Sequence, residues 1–199
     1  TDLPVTVNIL PTPTVSGVVP VCEGSSGHIY NTSAGMTNYQ WSVTGGTITS
    51  GGSATDNNIT VTWGAAGTGH IYVNYTNSNG CTAASPTDQP VIINSQPVPV
   101  ISGSTTVCSG STGNVYSTTP GMSNYLWTIN GGIITAGGGN ANSTVTVTWD
   151  AAGTGHVLLN YSNSNGCAAT TPTDLNVTIN ALPTPVITGS ASVCTNSTG

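Results

Sequence analysis

Five cysteines, three histidines and six carboxylates carry the chain's capacity for redox, metal and acid–base chemistry. Their spacing decides how much of it is realised. Cys22, Cys108 and Cys194 fall 86 residues apart, as do Cys81 and Cys167. Within a repeat the interval from first to second cysteine is 59 residues both times. That regularity reads as one disulfide per repeat, Cys22 with Cys81 and Cys108 with Cys167, in an oxidising compartment. Closing a loop of about 60 residues stabilises a domain by about 4 kcal/mol in the chain-entropy treatment. Cys194 then expects its partner beyond residue 199, near position 253. Buried free thiols are the alternative, and metal ligation is disfavoured because the cysteines never cluster as Cys-x-x-Cys.

Of His28, His70 and His156, only the last two share a repeat position. The alternation of Ile71, Val73 and Tyr75 turns His70 outward, as an exposed structural side chain. Asp2, Glu23, Asp56, Asp88, Asp150 and Asp174 are scattered, so no set of nucleophile, base and orienting group assembles from them. The expectation is a protein with no catalytic residue, no cofactor and no metal site. Asp2, Asp88 and Asp174 recur just before the last strand of each repeat. One carboxylate per repeat falls short of the roughly six to eight oxygens that calcium takes. A turn or capping hydrogen bond suits these aspartates better, with an interdomain cation as the open alternative.

The elements that position these residues follow the same period of 86, which also relates Trp41 to Trp127, Trp63 to Trp149, and Pro11/Pro13 to Pro97/Pro99 and Pro183/Pro185. A period of that size is a whole small domain. Residues 1–10 match 87–96 and 173–182, and residues 183–199 match 11–27 and 97–113. Complete repeats therefore span 11–96 and 97–182, preceded by the last strand of one repeat (1–10) and followed by the start of another (183–199). The chain reads as a window on a longer array. It has no Lys or Arg and a net charge of −6. It therefore cannot neutralise nucleic-acid phosphates or hold an anionic membrane through a basic patch. Apolar runs are strand-sized, so no membrane insertion is expected.

Period-two alternation recurs throughout, in Tyr39/Trp41/Val43, Ile59/Val61/Trp63, Ile71/Val73/Tyr75 and Val91/Ile93, and again in the second repeat. Gly-Gly and Asn-Gly turns separate these segments. About seven short strands in a repeat of this length is the pattern of an all-β, immunoglobulin-like sandwich. Its core is expected around Trp41 and Trp63, and around Trp127 and Trp149. The succession V-C-x-G-S-S/T-G, N-Y-x-W-[ST]-[VI]-x-G-G, [IV]-T-V-T-W, A-A-G-T-G-H-[IV] and N-Y-[ST]-N-S-N-G-C resembles the PKD-like tandem domains of long secreted surface proteins from Bacteroidota-type bacteria. W-S-V-T-G-G and W-T-I-N-G-G stand where typical PKD domains carry W-x-F-G-D-G, which favours the PKD-like branch. The resemblance implies spacers, stalks and adhesin arrays rather than chemistry.

With Tyr39, Trp41 and Val43 inward, Gln40 and its counterpart Leu126 point outward, as do Tyr72 and Leu158, and Ile92. Tyr72 with Ile92, and Leu126 with Leu158, would form apolar patches suited to lateral contact between copies of the array, unless they are scattered surface apolars of the ordinary kind. Asn74 and Asn160 head Asn-x-Ser/Thr triplets at one repeat position, are expected to face outward and are therefore the first candidates for glycosylation, with O-linked sugar on Thr and Ser as the alternative. Each junction is Pro-x-Pro followed by a β-branched pair and Gly, a stiff connection. The expected function is a secreted or cell-surface stalk or filament whose partners are other copies of itself. An adhesin binding carbohydrate, and a spacer of a larger secreted enzyme, are the alternatives. A sugar platform would repeat its aromatic, yet Tyr72 becomes Leu158.

Overall fold

The computed structural model describes residues 2–189, 192, 194 and 195. Of the two end segments, residue 1 and residues 190, 191, 193 and 196–199 lie outside the described residues. The chain divides into two compact units, Thr1–Val98 with Tyr161–Thr170, and Pro99–Asn160 with Thr171–Gly199. All regular structure among the described residues is β.

The first unit carries β1 (Ser16–Gly17), β2 (Val21–Cys22), β3 (His28–Asn31), β4 (Thr37–Thr44), β5 (Gly46–Gly51), β6 (Asn58–Trp63), β7 (Gly67–Thr76) and β8 (Thr87–Asn94). They form two sheets ordered β1-β3-β6-β5 and β2-β8-β7-β4. Alternation gives each sheet one inner face: Ile59, Val61 and Trp63 of β6 are buried while Thr60 and Thr62 between them are half-exposed. Residues of both sheets meet in one cluster of Val21, Tyr30, Ile59, Val61, Trp63, Ile71, Val91 and Ile93.

The centre of that cluster is Trp63 with Tyr30, edge to face at 6.0 Å between ring centroids. Trp63 Nε1 donates to the Tyr30 hydroxyl at 3.1 Å, and the hydroxyl donates to the Val18 carbonyl at 2.8 Å, so both buried polar groups are satisfied. Burial raises the Tyr30 pKa, an effect partly offset by the Trp63 N–H. Trp41, expected at the centre, is only half-buried at the edge of the cluster, and its Nε1 donates to the Asp56 carbonyl at 2.9 Å. Where β4 begins, a bulge between Thr37 and Gln40 places Asn38 at φ 52°, a left-handed conformation that asparagine tolerates. Gly69 leaves room for the Trp63 ring, which a Cβ there would strike.

The second unit repeats the plan with β9 (Thr106–Cys108), β10 (Asn114–Ser117), β11 (Ser123–Asn130), β12 (Gly132–Gly137), β13 (Thr144–Trp149), β14 (Gly153–Ser162) and β15 (Thr173–Asn180). Its sheets are ordered β10-β13-β12 and β11-β14-β15-β9, and the last two residues of β14 enter the segment grouped with the first unit. Trp149 and Tyr116 reproduce the central pair at 6.0 Å, with Trp149 Nε1 donating to the Tyr116 hydroxyl at 3.2 Å.

In each unit a short strand that carries the opening cysteine runs parallel to the final strand: Cys22 lies opposite Asn94, and Cys108 opposite Asn180. Residues 2–10 carry the same sequence pattern as β8 and β15 but form no strand, and Val5, Val7 and Ile9 are exposed.

Candidate functional site: opening and closing cysteines

Cys22 sits at the far end of β8 because β2 pairs with Ile93 and Asn94. Glu23 N donates to the Asn94 carbonyl at 2.9 Å, and Ser25 N folds back to the Cys22 carbonyl at 3.2 Å, so the backbone that presents the sulfur is pinned on both sides. The Ser25 hydroxyl bonds the same carbonyl. Cys22 is bonded to Cys167, 145 residues further along the chain, with Cα atoms 5.6 Å apart. Both belong to the first compact unit, since Tyr161–Thr170 is grouped with Thr1–Val98.

Cys167 is presented by a tight reversal. Asn163 N donates to the Cys167 carbonyl at 2.9 Å, the Asn163 carboxamide oxygen accepts from Cys167 N at 3.1 Å, and Ser162 bridges Ala168. The Asn163 amide nitrogen donates to the Ser95 carbonyl at 2.8 Å. Around the disulfide runs a polar chain: Gln96 N donates to Glu23 Oε1 at 2.8 Å, Gln96 Nε2 donates to the Glu23 carbonyl at 3.0 Å, and the Thr170 hydroxyl donates to Gln96 Oε1. The other carboxylate oxygen of Glu23 accepts from Ala66 N at 3.2 Å. Glu23, a scattered acid in the sequence, is the hub of this network.

The expected pairs Cys22–Cys81 and Cys108–Cys167 are thereby overturned. Cys81 lies in the turn between β7 and β8, whereas Cys22 lies beside the far end of β8. The eight residues of β8 separate them by roughly 23 Å at about 3.3 Å per residue, against a disulfide reach of about 7 Å between Cα atoms. The same topology holds Cys108, beside the end of β15, away from Cys167, in the turn before β15 starts. Within the described residues no disulfide joins Cys81, Cys108 or Cys194. A strict repeat with a 59-residue interval contains a 145-residue interval to the next copy as well, and spacing alone does not separate the two.

Two of the recurring aspartates, Asp88 and Asp174, pair with histidines. The Asp88 carboxylate accepts from His70 Nδ1 at 2.9 Å across β7 and β8, and Asp174 pairs with His156 at 3.0 Å. His70 also stacks on Tyr72, with ring centroids 5.8 Å apart and planes 7° from parallel. Tyr72 and Ile92 share the outer face but lie opposite Asp88 and Thr68, about 13 Å apart along the strand, so they make no single patch. Leu126 is 63% exposed on β11, next to β14, where Leu158 is half-exposed. The outer face of the other sheet, not singled out from the sequence, exposes Val115 and Ile133 opposite Thr146 and Thr148.

Asn74, expected to face solvent, is buried; its amide nitrogen donates to the Ala83 carbonyl at 3.2 Å because the turn before β8 folds over it. Asn160 is half-exposed. Among the described residues no three His, Cys, Asp or Glu side chains gather as a metal site, and no helix is long and apolar enough to cross a membrane. The Pro-x-Pro junctions are tied down: the Thr87 hydroxyl donates to the Pro13 carbonyl at 2.6 Å in the first unit, and Thr173 to Pro99 at 2.6 Å in the second.

The PKD-like domain family model matches the chain twice, over residues 9–89 and 94–177. No curated protein matches it. Among solved structures, the fibronectin(III)-like modules of Clostridium thermocellum CbhA align over 88% of this chain and 100% of theirs, at 12% identity and a TM-score of 0.40. The Escherichia coli adhesin FdeC aligns over 83% of this chain and 63% of its own, at 17% identity and a TM-score of 0.37. Domains 4–9 of the surface layer protein SbsC align over 89% of this chain and 31% of their own, at 14% identity and a TM-score of 0.36.

Proposed function

The chain belongs to the PKD-like domain family, and from that premise we propose that it is part of an extracellular, non-catalytic structural array that forms an extended stalk or filament. The observation that carries the reading is the Cys22–Cys167 disulfide, which fastens a turn of the second sequence repeat to the opening strand of the first. A bond that spans 145 residues ties two sequence repeats together, so it supports the continuity of a string of them as well as the stability of the chain. Such bonds persist in oxidising compartments, which supports a location outside the cytoplasm. The anchored Pro-x-Pro junctions support stiffness. With neither Lys nor Arg, the 199 residues offer trypsin-like proteases no cleavage site. Other copies of the array are the proposed partners, meeting through outer-face apolar residues such as Leu126 with Leu158.

Electron imaging of the native, unreduced material tests this reading. Fibres with an axial repeat of one or two domain lengths are expected. Dispersed globular particles with no axial periodicity would refute it.

A further inference from the structure

Cys108 and Cys81 are not simply spare thiols. Cys108 is presented as Cys22 is: Ser109 N donates to the Asn180 carbonyl at 2.8 Å, and Ser111 N donates to the Cys108 carbonyl at 3.1 Å, matching the Glu23–Asn94 and Ser25–Cys22 bonds. Cys81 is presented as Cys167 is: Asn77 N donates to the Cys81 carbonyl at 2.9 Å, Cys81 N donates to the Asn77 carboxamide oxygen at 3.0 Å, and Thr76 bridges Thr82. The Asn77 amide nitrogen donates to the Ile9 carbonyl at 3.1 Å, as Asn163 does to Ser95, and Ile9 and Ser95 are themselves one period apart. The entering chain thus lies across the Cys81 turn in the way that the Ser95 segment lies across the Cys167 turn. Cys108 is exposed, and Cys81 is partly so.

We propose that every opening cysteine of the array is joined to the closing cysteine of the following repeat, so that Cys108 bonds a cysteine 145 residues further on, at the position equivalent to 253, and Cys81 bonds the opening cysteine of the preceding repeat. The result is a ladder of overlapping covalent loops in which each repeat carries two bonds, one to each neighbour. No repeat can then be pulled from the array without breaking a sulfur–sulfur bond. Cys194, an opening cysteine, takes the closing cysteine one period beyond that of Cys108, which replaces the partner near 253 that the 59-residue interval assigned to it. Each bond forms by exchange with a protein disulfide of the extracytoplasmic space. The Cys108 thiolate attacks one sulfur of that oxidant and the oxidant's other sulfur leaves as a thiolate. The partner cysteine's thiolate then attacks the Cys108 sulfur, and the oxidant departs as a dithiol carrying the two electrons.

This inference uses the array reading only for the existence of neighbouring repeats. Its test is separate: native material is blocked with an alkylating reagent without reduction, digested with pepsin at low pH, and its cross-linked peptides are identified by mass. The expected result is three linkage types of one kind, each joining a Val-Cys peptide to an Asn-Gly-Cys peptide: Cys22 with Cys167, Cys108 with an Asn-Gly-Cys peptide, and Cys81 with a Val-Cys peptide. A Cys108–Cys81 linkage joins an opening cysteine to the closing cysteine of the preceding repeat and would overturn it. Recovery of Cys81 and Cys108 as alkylated thiols, or linked as Cys22–Cys81 and Cys108–Cys167, would overturn it, whether or not the material images as fibres.

Discussion

Replacing Cys22 by Ser in the 199-residue chain removes the one disulfide found among its described residues, and the loop it closes sets the expected loss. For a loop of 145 residues the chain-entropy relation gives about 5 kcal/mol at 25 °C. At roughly 2–4 °C per kcal/mol for a chain of this size, the transition should fall by about 10–20 °C. Tryptophan fluorescence during thermal and urea unfolding follows it, because Trp63 and Trp149 are fully buried. Reducing the unmodified chain should give the same drop, and Cys167→Ser should match Cys22→Ser without adding to it. Cys81→Ser should change stability by no more than about 0.5 kcal/mol, the range of an uninvolved surface position. If Cys22→Ser and Cys81→Ser produced the same loss, and combined no worse than either alone, the bond would lie within the first repeat and the Cys22–Cys167 assignment would be refuted.

Tyr30→Phe removes the hydroxyl that accepts from Trp63 Nε1 and leaves a buried N–H without a partner, so a loss of about 1–3 kcal/mol is expected in urea unfolding, with Tyr116→Phe giving the same in the second unit. Gly155→Ala drives a methyl into the Trp149 ring and should destabilise by about 1–3 kcal/mol, read as a lower urea midpoint at unchanged slope. Burial raises the pKa of Tyr30 and of Tyr116 above the ordinary tyrosine value of 10.0, so the unfolded chain releases these protons first. Their contribution is intact below that value and is lost as pH rises through the folded pKa values, so stability should fall with alkalinity while absorbance shows two tyrosines ionising late.

Much of the fold is legible in the sequence, because alternation at Ile59/Val61/Trp63 and Ile71/Val73 leaves only one inward face for each strand. Details that depend on where a side chain finds a hydrogen bond are not. Trp41 looks as central as Trp63, yet its indole N–H reaches outward to a loop carbonyl at Asp56, while that of Trp63 finds a hydroxyl in the core. Asn74 stands on the outward side of β7 and is buried all the same, because the turn that directly follows β7 folds back over it. The cysteine pairing is hidden for a different reason. A strict period preserves every interval at once, so 59 and 145 are equally regular, and only strand direction places Cys22 and Cys81 at opposite ends of β8.

The most direct test of a staple that carries tension along the array is to pull single molecules by their ends, first oxidised and then in the presence of reductant. With Cys22 bonded to Cys167, the residues between them are withheld from extension, and reduction should release about 500 Å of additional length at roughly 3.5 Å per residue for 145 residues. Two separate gains of about 200 Å, each the length of a loop of roughly 59 residues, would place the disulfides inside the repeats and contradict the staple.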